Sequence, residues 1–436
     1  MLRQLAATLA LAVLVAPLGC GSGTKSTRTG EPVAPTGGPA TASAKPGADA
    51  PLAMVDGPRR ATAPKALSDT VKKGLAWLAS AQLQDGGWGQ GDEAQQLRPN
   101  EPRVGIANVA DSSMALLAFI RAGQAPRAGG EHAKAVERGI GYVLGQIEQS
   151  DDESLYVSAV RGTRVQAKIG QYVDTFAALN MLTEAKGQMR DPAGNARLDA
   201  ALKKVIRKVE RNQRDNGSWD DGGWAPVLSQ ALAAKGLNRA AQAGAPVSRQ
   251  ALERVEAQAK GGEMKASGSA GVGLYGDAAS SANIRDDAET KRAKANALKA
   301  KAKQGPSPMA QSPDVPTKAQ IDAAEAEAAT ASKAAFDSER ALTARLSDQQ
   351  FVAGFGNNGG EEYLSYLLIS ETLVQSGGAE WERWDGAITQ LVGKVQNEDG
   401  SWVGMHCITG RTFCTAAALL VLLGDRAPGT RNLMAK

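Results

Sequence analysis

The sequence has 436 residues, of which 42% are apolar and 22% charged, and its formal net charge is +4 at neutral pH. A chain of this length can bury a sizeable core, and without a concentrated basic patch its near-balanced charge gives no support for nucleic-acid binding. Aromatic residues make up only 4% of the chain and there are two histidines, which leaves little material for an aromatic-lined cavity or a histidine-based catalytic site.

The first 19 residues predict an export signal. Arg3 precedes the apolar run LAATLALAVLVAPLG, and Cys20 follows it. This order is typical of a bacterial lipoprotein signal peptide, although an ordinary signal peptide or an anchor helix is an alternative interpretation. We therefore expect a lipid on Cys20 to anchor the mature protein in a membrane, on the exported side of the bacterial cell envelope.

Residues 20–65 predict a disordered tether. They are rich in Gly, Pro, Ala, Ser and Thr and contain almost no large apolar side chains. Such a segment cannot bury enough apolar surface to offset the entropy lost on ordering. The globular body is then expected to occupy residues 66–436.

This body shows helical periodicity throughout and no sustained strand-like alternation. Amphipathic helices alternate with nearly all-apolar helices that begin near Asp111, Asp174, Trp224, Glu362 and Cys414. The alternation predicts an all-α fold of about five helix pairs in two concentric layers, with the apolar helices inside.

Three amphipathic helices end in a repeated motif of Gln, a short polar spacer, Gly and Trp. The copies are AQLQDGGWG with Gln82 and Trp88, VERNQRDNGSW with Gln213 and Trp219, and VQNEDGSW with Gln396 and Trp402. A Gln side chain can satisfy backbone groups left open at helix ends, and Gly permits a tight reversal. We interpret each copy as a structural clasp between neighbouring helix pairs.

Residues 261–350 differ in composition and interrupt this pattern. A basic, Ala-rich stretch is followed by the link GPSPMAQSPDVP and then by an acidic, Ala-rich stretch. This arrangement predicts an insertion, either as a helical hairpin with oppositely charged arms or as a partly disordered segment with transient helix.

Cys407 and Cys414 are the two cysteines that remain after lipidation of Cys20. Exported cysteine pairs usually form disulfides, and Gly410 allows the chain between these two to turn. We predict a Cys407–Cys414 disulfide. The alternative is a zinc site with His406, which would need a further ligand that the local sequence does not contain.

The Gln-to-Trp copies resemble the QW repeat of squalene-hopene cyclases and their relatives. The resemblance implies the α/α toroid of the prenyltransferase and squalene oxidase repeat superfamily, which includes terpene cyclases and protein prenyltransferases. The chain lacks the DxDD acid of terpene cyclases. It also lacks an Asp just before Cys414, where the zinc ligand of prenyltransferases is expected, so we predict no cofactor and no bound metal.

In such a toroid, the starts of the inner helices would open onto one mouth. Candidate mouth residues are Asp111, Asp174, Tyr363, Tyr366, His406 and Arg411. Asp111 and Asp174 are also interpreted more simply as N-caps of inner helices. The sequence thus favours a lipid-anchored binding or scaffolding module for an unidentified envelope protein or apolar ligand. A transferase or hydrolase that uses the mouth is the alternative.

Overall fold

The structure, a computed structural model, describes residues 63–93, 105–220, 222–261, 270–303, 315–352, 355–357 and 359–428. The predicted signal peptide, Cys20 and the tether up to residue 62 lie outside these ranges. Within them the protein is all-α, with fourteen α-helices and a single pair of two-residue strands.

The helices are α1 (Asp69–Ser80), α2 (Val109–Arg121), α3 (Ala133–Gln149), α4 (Arg164–Lys168), α5 (Val173–Ala185), α6 (Pro192–Arg211), α7 (Pro226–Gln242), α8 (Arg249–Gly261), α9 (Ala270–Lys303), α10 (Lys318–Leu346), α11 (Gln349–Val352), α12 (Gly360–Ser376), α13 (Gly378–Lys394) and α14 (Arg411–Leu422). Strands β1 (Trp88–Gly89) and β2 (Ala107–Asn108) pair antiparallel. None of the helices in the described ranges combines the length and apolarity needed to span a membrane.

Six helices with strongly buried surfaces contact one another in a closed cycle, and we call them the inner helices. Their order is α2, α5, α7, α9, α12 and α14, and α14 in turn contacts α2. Every residue of α2 is buried, as is every residue of α5 except Glu184. Helices that are apolar all round must lie within a core. These contacts are consistent with the predicted α/α toroid.

Six amphipathic helices pack against the inner helices. They are α1, α3, α6, α8, α10 and α13, which contact α14, α2, α5, α7, α9 and α12 respectively. Three of them, α1, α8 and α13, also contact a second inner helix, namely α2, α9 and α14 respectively. In α6, for example, Leu198, Leu202, Val205 and Val209 are buried at helical spacing. Its start is defined by Asp191, whose side chain accepts a hydrogen bond from Gly194 N at 2.7 Å.

The segment predicted as an insertion supplies one of these six pairs. Its two arms are helical, as one of the alternatives predicted, and they contact each other as α9 and α10. The arms run antiparallel and carry the expected charge pairs, with Lys294 Nζ 3.1 Å from Glu327 Oε2 and Lys299 Nζ 2.7 Å from Glu325 Oε1.

The segment was predicted as an insertion that interrupts the toroid, but α9 contacts both α7 and α12 and thereby completes the cycle of inner helices. Small side chains make this position possible. Residues of the first half of α9 lie in the main core, namely Leu274, Tyr275, Ala278, Ala279 and Ala282. Two separate Ala-rich clusters join the distal parts of the two arms.

The three Gln-to-Trp motifs have the same geometry. Each Gln Nε2 donates to the carbonyl of the motif glycine and to a carbonyl in the first turn of another amphipathic helix. For Gln82 the acceptors are Gly86 O at 2.7 Å and Ala135 O at 2.8 Å. For Gln213 they are Gly217 O and Ala251 O, and for Gln396 they are Gly400 O and Thr70 O. The motifs therefore link α1 to α3, α6 to α8, and α13 back to α1.

The tryptophans close the ends of the helices that precede them. Trp88 Nε1 donates to Leu78 O at 2.7 Å, Trp219 Nε1 to Val209 O at 2.8 Å, and Trp402 Nε1 to Val392 O at 2.8 Å. Each acceptor lies in the last turn of its helix, where the carbonyls have no partner within the helix. The hydrogen bonds therefore support the interpretation of each motif as a clasp. The Gln amide links two helices, and the Trp indole N–H caps the end of the preceding helix.

The C-terminal halves of α2, α5, α7 and α12 and the middle of α9 meet in a buried ionic network. Arg121 Nη2 lies 2.6 Å from Glu184 Oε1 and 2.7 Å from Glu371 Oε1, and Lys235 also pairs with Glu371. Asp286 Oδ1 lies 2.6 Å from Arg285 Nη2 and 3.2 Å from Arg239 Nη2. We call these seven residues the central ionic network.

Candidate functional site at the mouth of the inner helices

The N-terminal ends of the inner helices lie together, and we call this region the mouth. Ala110 N, in the first turn of α2, donates to Asp174 Oδ1 in the first turn of α5 at 2.9 Å. Ile408 N, just before α14, donates to Glu361 Oε2 in the first turn of α12 at 3.3 Å. The central ionic network lies further along α2, α5, α7, α9 and α12, and none of its residues belongs to α14.

Four buried carboxyl groups line the mouth, namely Glu93, Asp111, Asp174 and Glu361. Burial raises the pKa of all four above the usual range. For Asp111 the pKa reaches about 7, because the charges of Glu93 and Asp174 add to the effect of burial. Burial also raises the pKa of Glu361 to about 7. The mouth therefore contains acids that exchange protons near neutral pH.

Asp111 and Asp174 belong to the mouth, but the prediction that they cap their own helices is wrong. The N-cap of α2 is Asn108, whose Oδ1 accepts from Asp111 N at 2.8 Å. Asp174 is the second residue of α5, and its carboxylate instead accepts from Ala110 N and, at 2.5 Å, from Gln166 Nε2. Asp174 thus caps the neighbouring inner helix, an arrangement that depends on tertiary contact.

The loop of residues 403–410 packs against the start of α12. Gly359 permits this approach, because a Cβ there would collide with the carbonyl oxygens of His406 and Ile408. The loop places His406 Nδ1 3.1 Å from Cys407 Sγ, and one ligating atom each from Glu361, His406 and Cys407 lies within 4.8 Å of the others. Cys407 has a φ of 61° and is the one described residue other than glycine with positive φ.

The predicted disulfide between Cys407 and Cys414 does not form in the structure. The two thiols have different surroundings. Cys414 is buried in α14 and its Sγ donates to Ile408 O at 3.4 Å, whereas Cys407 is partly exposed beside His406. Burial raises the pKa of Cys414 well above its usual value, so this thiol stays protonated and inert.

The other predicted mouth residues differ in position. Tyr366 is buried, and its hydroxyl donates to Glu362 Oε1. Tyr363 is partly buried and packs against the main core. Arg411 lies at the third clasp, where it contacts Asp399 and Ser401 and its guanidinium is 5.0 Å from the centre of the Trp77 ring. Arg411 is therefore a clasp residue rather than a ligand-binding candidate.

Sequence reasoning missed Glu93 and Glu361. Glu93 accepts from Thr409 N at 2.6 Å, although the two residues are far apart in the chain. Its neighbourhood carries no motif that marks it. Glu361 had a local signal, since it follows two glycines at the start of an apolar helix, but that helix was predicted to begin one residue later, at Glu362.

Exposed apolar side chains occur in segments next to the N-terminal ends of inner helices. Among the described residues, seven large apolar side chains are exposed, and four of them lie in the segments that lead into inner helices: Ile106, Trp224, Val403 and Met405. We call these four the apolar rim. Trp224 stacks edge-on against Tyr275 of α9 with ring centres 6.1 Å apart, which holds its position.

The sequence model of the squalene-hopene cyclase C-terminal domain matches residues 55–166. This range includes the first clasp and helices α1 to α3. Neither the curated proteins nor the solved structures contain a match to the chain. The matched range is about a quarter of the chain, and over it the chain is similar to a domain of the terpene cyclase-like fold in the prenyltransferase and squalene oxidase repeat superfamily.

Proposed function

We propose that the protein is a binding or scaffolding module that a lipid on Cys20 holds at the exported face of a bacterial membrane, and that the mouth is its binding surface. The observation that carries this proposal is the apolar rim. Exposed apolar groups gathered at one site are typical of interaction surfaces, whereas single ones are common everywhere on proteins. The segments that carry the rim adjoin the helix ends where the four buried acids lie.

The central ionic network argues against a terpene cyclase. Such an enzyme needs an apolar, aromatic-lined cavity that stabilises carbocations. Here Arg121, Lys235, Arg239 and Arg285 bring four basic side chains between the inner helices, together with only three acids. Cationic side chains in a low-dielectric interior would repel a carbocation rather than stabilise it.

A hydrolase or transferase is the second candidate, and a single observation favours it. His406 Nδ1 lies within hydrogen-bonding distance of Cys407 Sγ, and the Glu361 carboxylate is close to both. A base beside a thiol is the arrangement that activates a cysteine nucleophile. Alkylation of Cys407 by iodoacetamide that is much faster than alkylation of Cys414, and that slows in His406→Gln, would favour this candidate.

Photo-crosslinking tests the binding proposal in cells of the native organism. A photoreactive amino acid replaces Met405, which is 73% exposed in the apolar rim, or Phe336, which is 53% exposed on α10 away from the mouth. We expect a discrete adduct from position 405 that position 336 does not give. Equal adduct patterns, or none from position 405, would contradict the proposal.

Membrane attachment is tested separately in the same cells. The substitution Cys20→Ser removes the only acceptor proposed for the lipid, so the protein should leave the membrane fraction. The control is Cys414→Ser, which removes a different thiol and should not change fractionation. Retention of the Cys20→Ser variant in the membrane fraction would show that another feature anchors the chain.

A further inference from the structure

We propose that Glu361, His406 and Cys407 form a binding site for a divalent transition metal, with Zn²⁺ as the ion that fits best. The three groups come from two segments far apart in sequence, the first turn of α12 and the loop before α14. Their ligating atoms lie within 4.8 Å of one another, close enough to share one ion.

The carboxylate of Glu361 provides evidence that does not depend on the loop. The side chain is fully buried, and its Oε1 accepts no hydrogen bond of normal geometry, although the Cys407 thiol lies beside the carboxylate. Its other oxygen, Oε2, accepts from Ile408 N. A buried carboxylate oxygen without a hydrogen bond costs about 1 to 3 kcal/mol, and more if it is charged. A cation held between Glu361 and the His406–Cys407 pair would remove this cost.

The set of donor atoms selects the class of metal. Thiolate and imidazole ligands suit zinc and its neighbours in the first transition row, whereas Mg²⁺ and Ca²⁺ take oxygen ligands. In a tetrahedral zinc site, sulfur and nitrogen ligands lie about 3.5 Å apart. His406 Nδ1 and Cys407 Sγ are 3.1 Å apart, so a small rotation of the exposed His406 ring would bring them to this separation.

The backbone around Cys407 holds the thiol in place. A positive φ at a residue with a Cβ costs about 1 to 3 kcal/mol and persists only where the surrounding structure enforces it. At Cys407 the enforcing contacts come from Gly359 and Gly404, since a Cβ on either would collide with backbone atoms of the neighbouring segment. Cys414 is excluded as a ligand because its thiol is buried and donates to Ile408 O.

Three protein ligands leave one tetrahedral position open, as in zinc sites that bind a water or an exogenous ligand. His406 is exposed and Cys407 partly exposed, so this position would face the apolar rim. The metal site does not depend on the partner proposed above, and its test measures metal binding alone.

The experiment uses the full chain with the substitution Cys20→Ser. Cys407 and Cys414 are then its two cysteines. The protein is treated with a chelator, dialysed and titrated with Zn²⁺, and bound metal is measured by mass spectrometry. Co²⁺ replaces zinc in a parallel titration. We expect about one ion per chain, and with Co²⁺ the intense visible bands of a tetrahedral site together with a thiolate-to-cobalt charge-transfer band.

Single variants assign the ligands. Cys407→Ser, His406→Gln and Glu361→Gln should each weaken zinc binding by at least about 100-fold, since even groups outside the ligand shell change affinity by about 10 to 100-fold. Cys414→Ser and His132→Gln are the matched controls and should bind zinc as the parent does. The circular dichroism of each variant shows whether it is folded. Because the His406 side chain is exposed, His406→Gln is the variant least expected to disturb the fold.

Absence of stoichiometric zinc in the folded parent would overturn the proposal. Retention of zinc by both Cys407→Ser and His406→Gln would also overturn it. The proposal would also be overturned if Cys414→Ser lost zinc while Glu361→Gln retained it. In that case the ligands would include the Cys414 thiol and not the Glu361 carboxylate.

Discussion

Trp88, Trp219 and Trp402 show what a single side chain contributes to this fold. Each indole is buried against its own helix pair and donates its N–H to a carbonyl of the preceding helix. Removal of the ring would leave a cavity and also an unpaired carbonyl at a helix end. The clasp tryptophans are therefore expected to differ sharply from tryptophans outside the clasps.

The substitution Trp88→Ala should lower the free energy of unfolding by about 3 to 5 kcal/mol, the typical cost of truncating a buried aromatic residue. Trp224→Ala is the matched control, because Trp224 is 42% exposed, and it should cost less than about 1 kcal/mol. Chemical denaturation of both variants measures the difference. Similar losses for the two would mean that the clasp position has no special role.

Helix α9 shows how one element can hold the cycle of inner helices together. Its first half packs in the main core between α7 and α12, whereas its distal half contacts mainly α10 through small, separate Ala clusters. The two halves therefore differ in their importance for folding. The distal half extends a hairpin, but the proximal half occupies a position that no other described helix can fill.

Deletion of residues 261–350 with a short Gly-Ser bridge should abolish the cooperative unfolding transition, since α7 and α12 would lose the helix between them. The control is a shortened hairpin that lacks residues 294–328 and keeps the proximal half of α9. This variant should unfold cooperatively, with a midpoint close to that of the parent. Thermal unfolding followed by circular dichroism compares the two, and a cooperative transition in the larger deletion would restore the interpretation of the segment as an insertion.

Two kinds of contact connect distant parts of the molecule, namely the clasps between amphipathic helices and the central ionic network between inner helices. The clasps link amphipathic helices to one another, and Gln396 links α13 back to α1 by donating to Thr70 O at 2.9 Å. In the interior, Glu371 of α12 pairs with Arg121 of α2 and Lys235 of α7. A buried ion pair adds little net stability, but loss of one partner is costly because a buried charge is left behind.

The substitution Glu371→Gln should therefore lower the free energy of unfolding by about 3 to 5 kcal/mol. Glu398→Gln, at an exposed acid in the third clasp region, is the control and should change it by less than about 0.5 kcal/mol. Urea denaturation at constant pH measures both variants. A neutral result for Glu371→Gln would mean that the basic residues of the network compensate for each other.

The sequence by itself determined the all-α class, the alternation of amphipathic and apolar helices, and the clasps. These features follow from local periodicity and from short motifs, so residues such as Gln82 and Trp88 can be recognised without knowing their neighbours. The helical hairpin could also be predicted, as one of two alternatives, because the opposite charges of its arms and the Pro-rich link between them lie in one continuous stretch of sequence. Asp111 and Asp174 became mouth candidates because the resemblance to the α/α toroid implies that the starts of the apolar helices share one mouth.

Only the tertiary structure decided the place of α9, the roles of the mouth carboxyls and the state of the cysteines. Helix α9 has few large apolar residues, so composition alone did not reveal that small side chains let it pack among the inner helices. Glu93 meets Thr409, and Glu361 meets Ile408, across long stretches of chain. The loop before α14 directs Cys407 toward His406 and Glu361 and away from Cys414, because a backbone turn with positive φ sets the direction of a side chain.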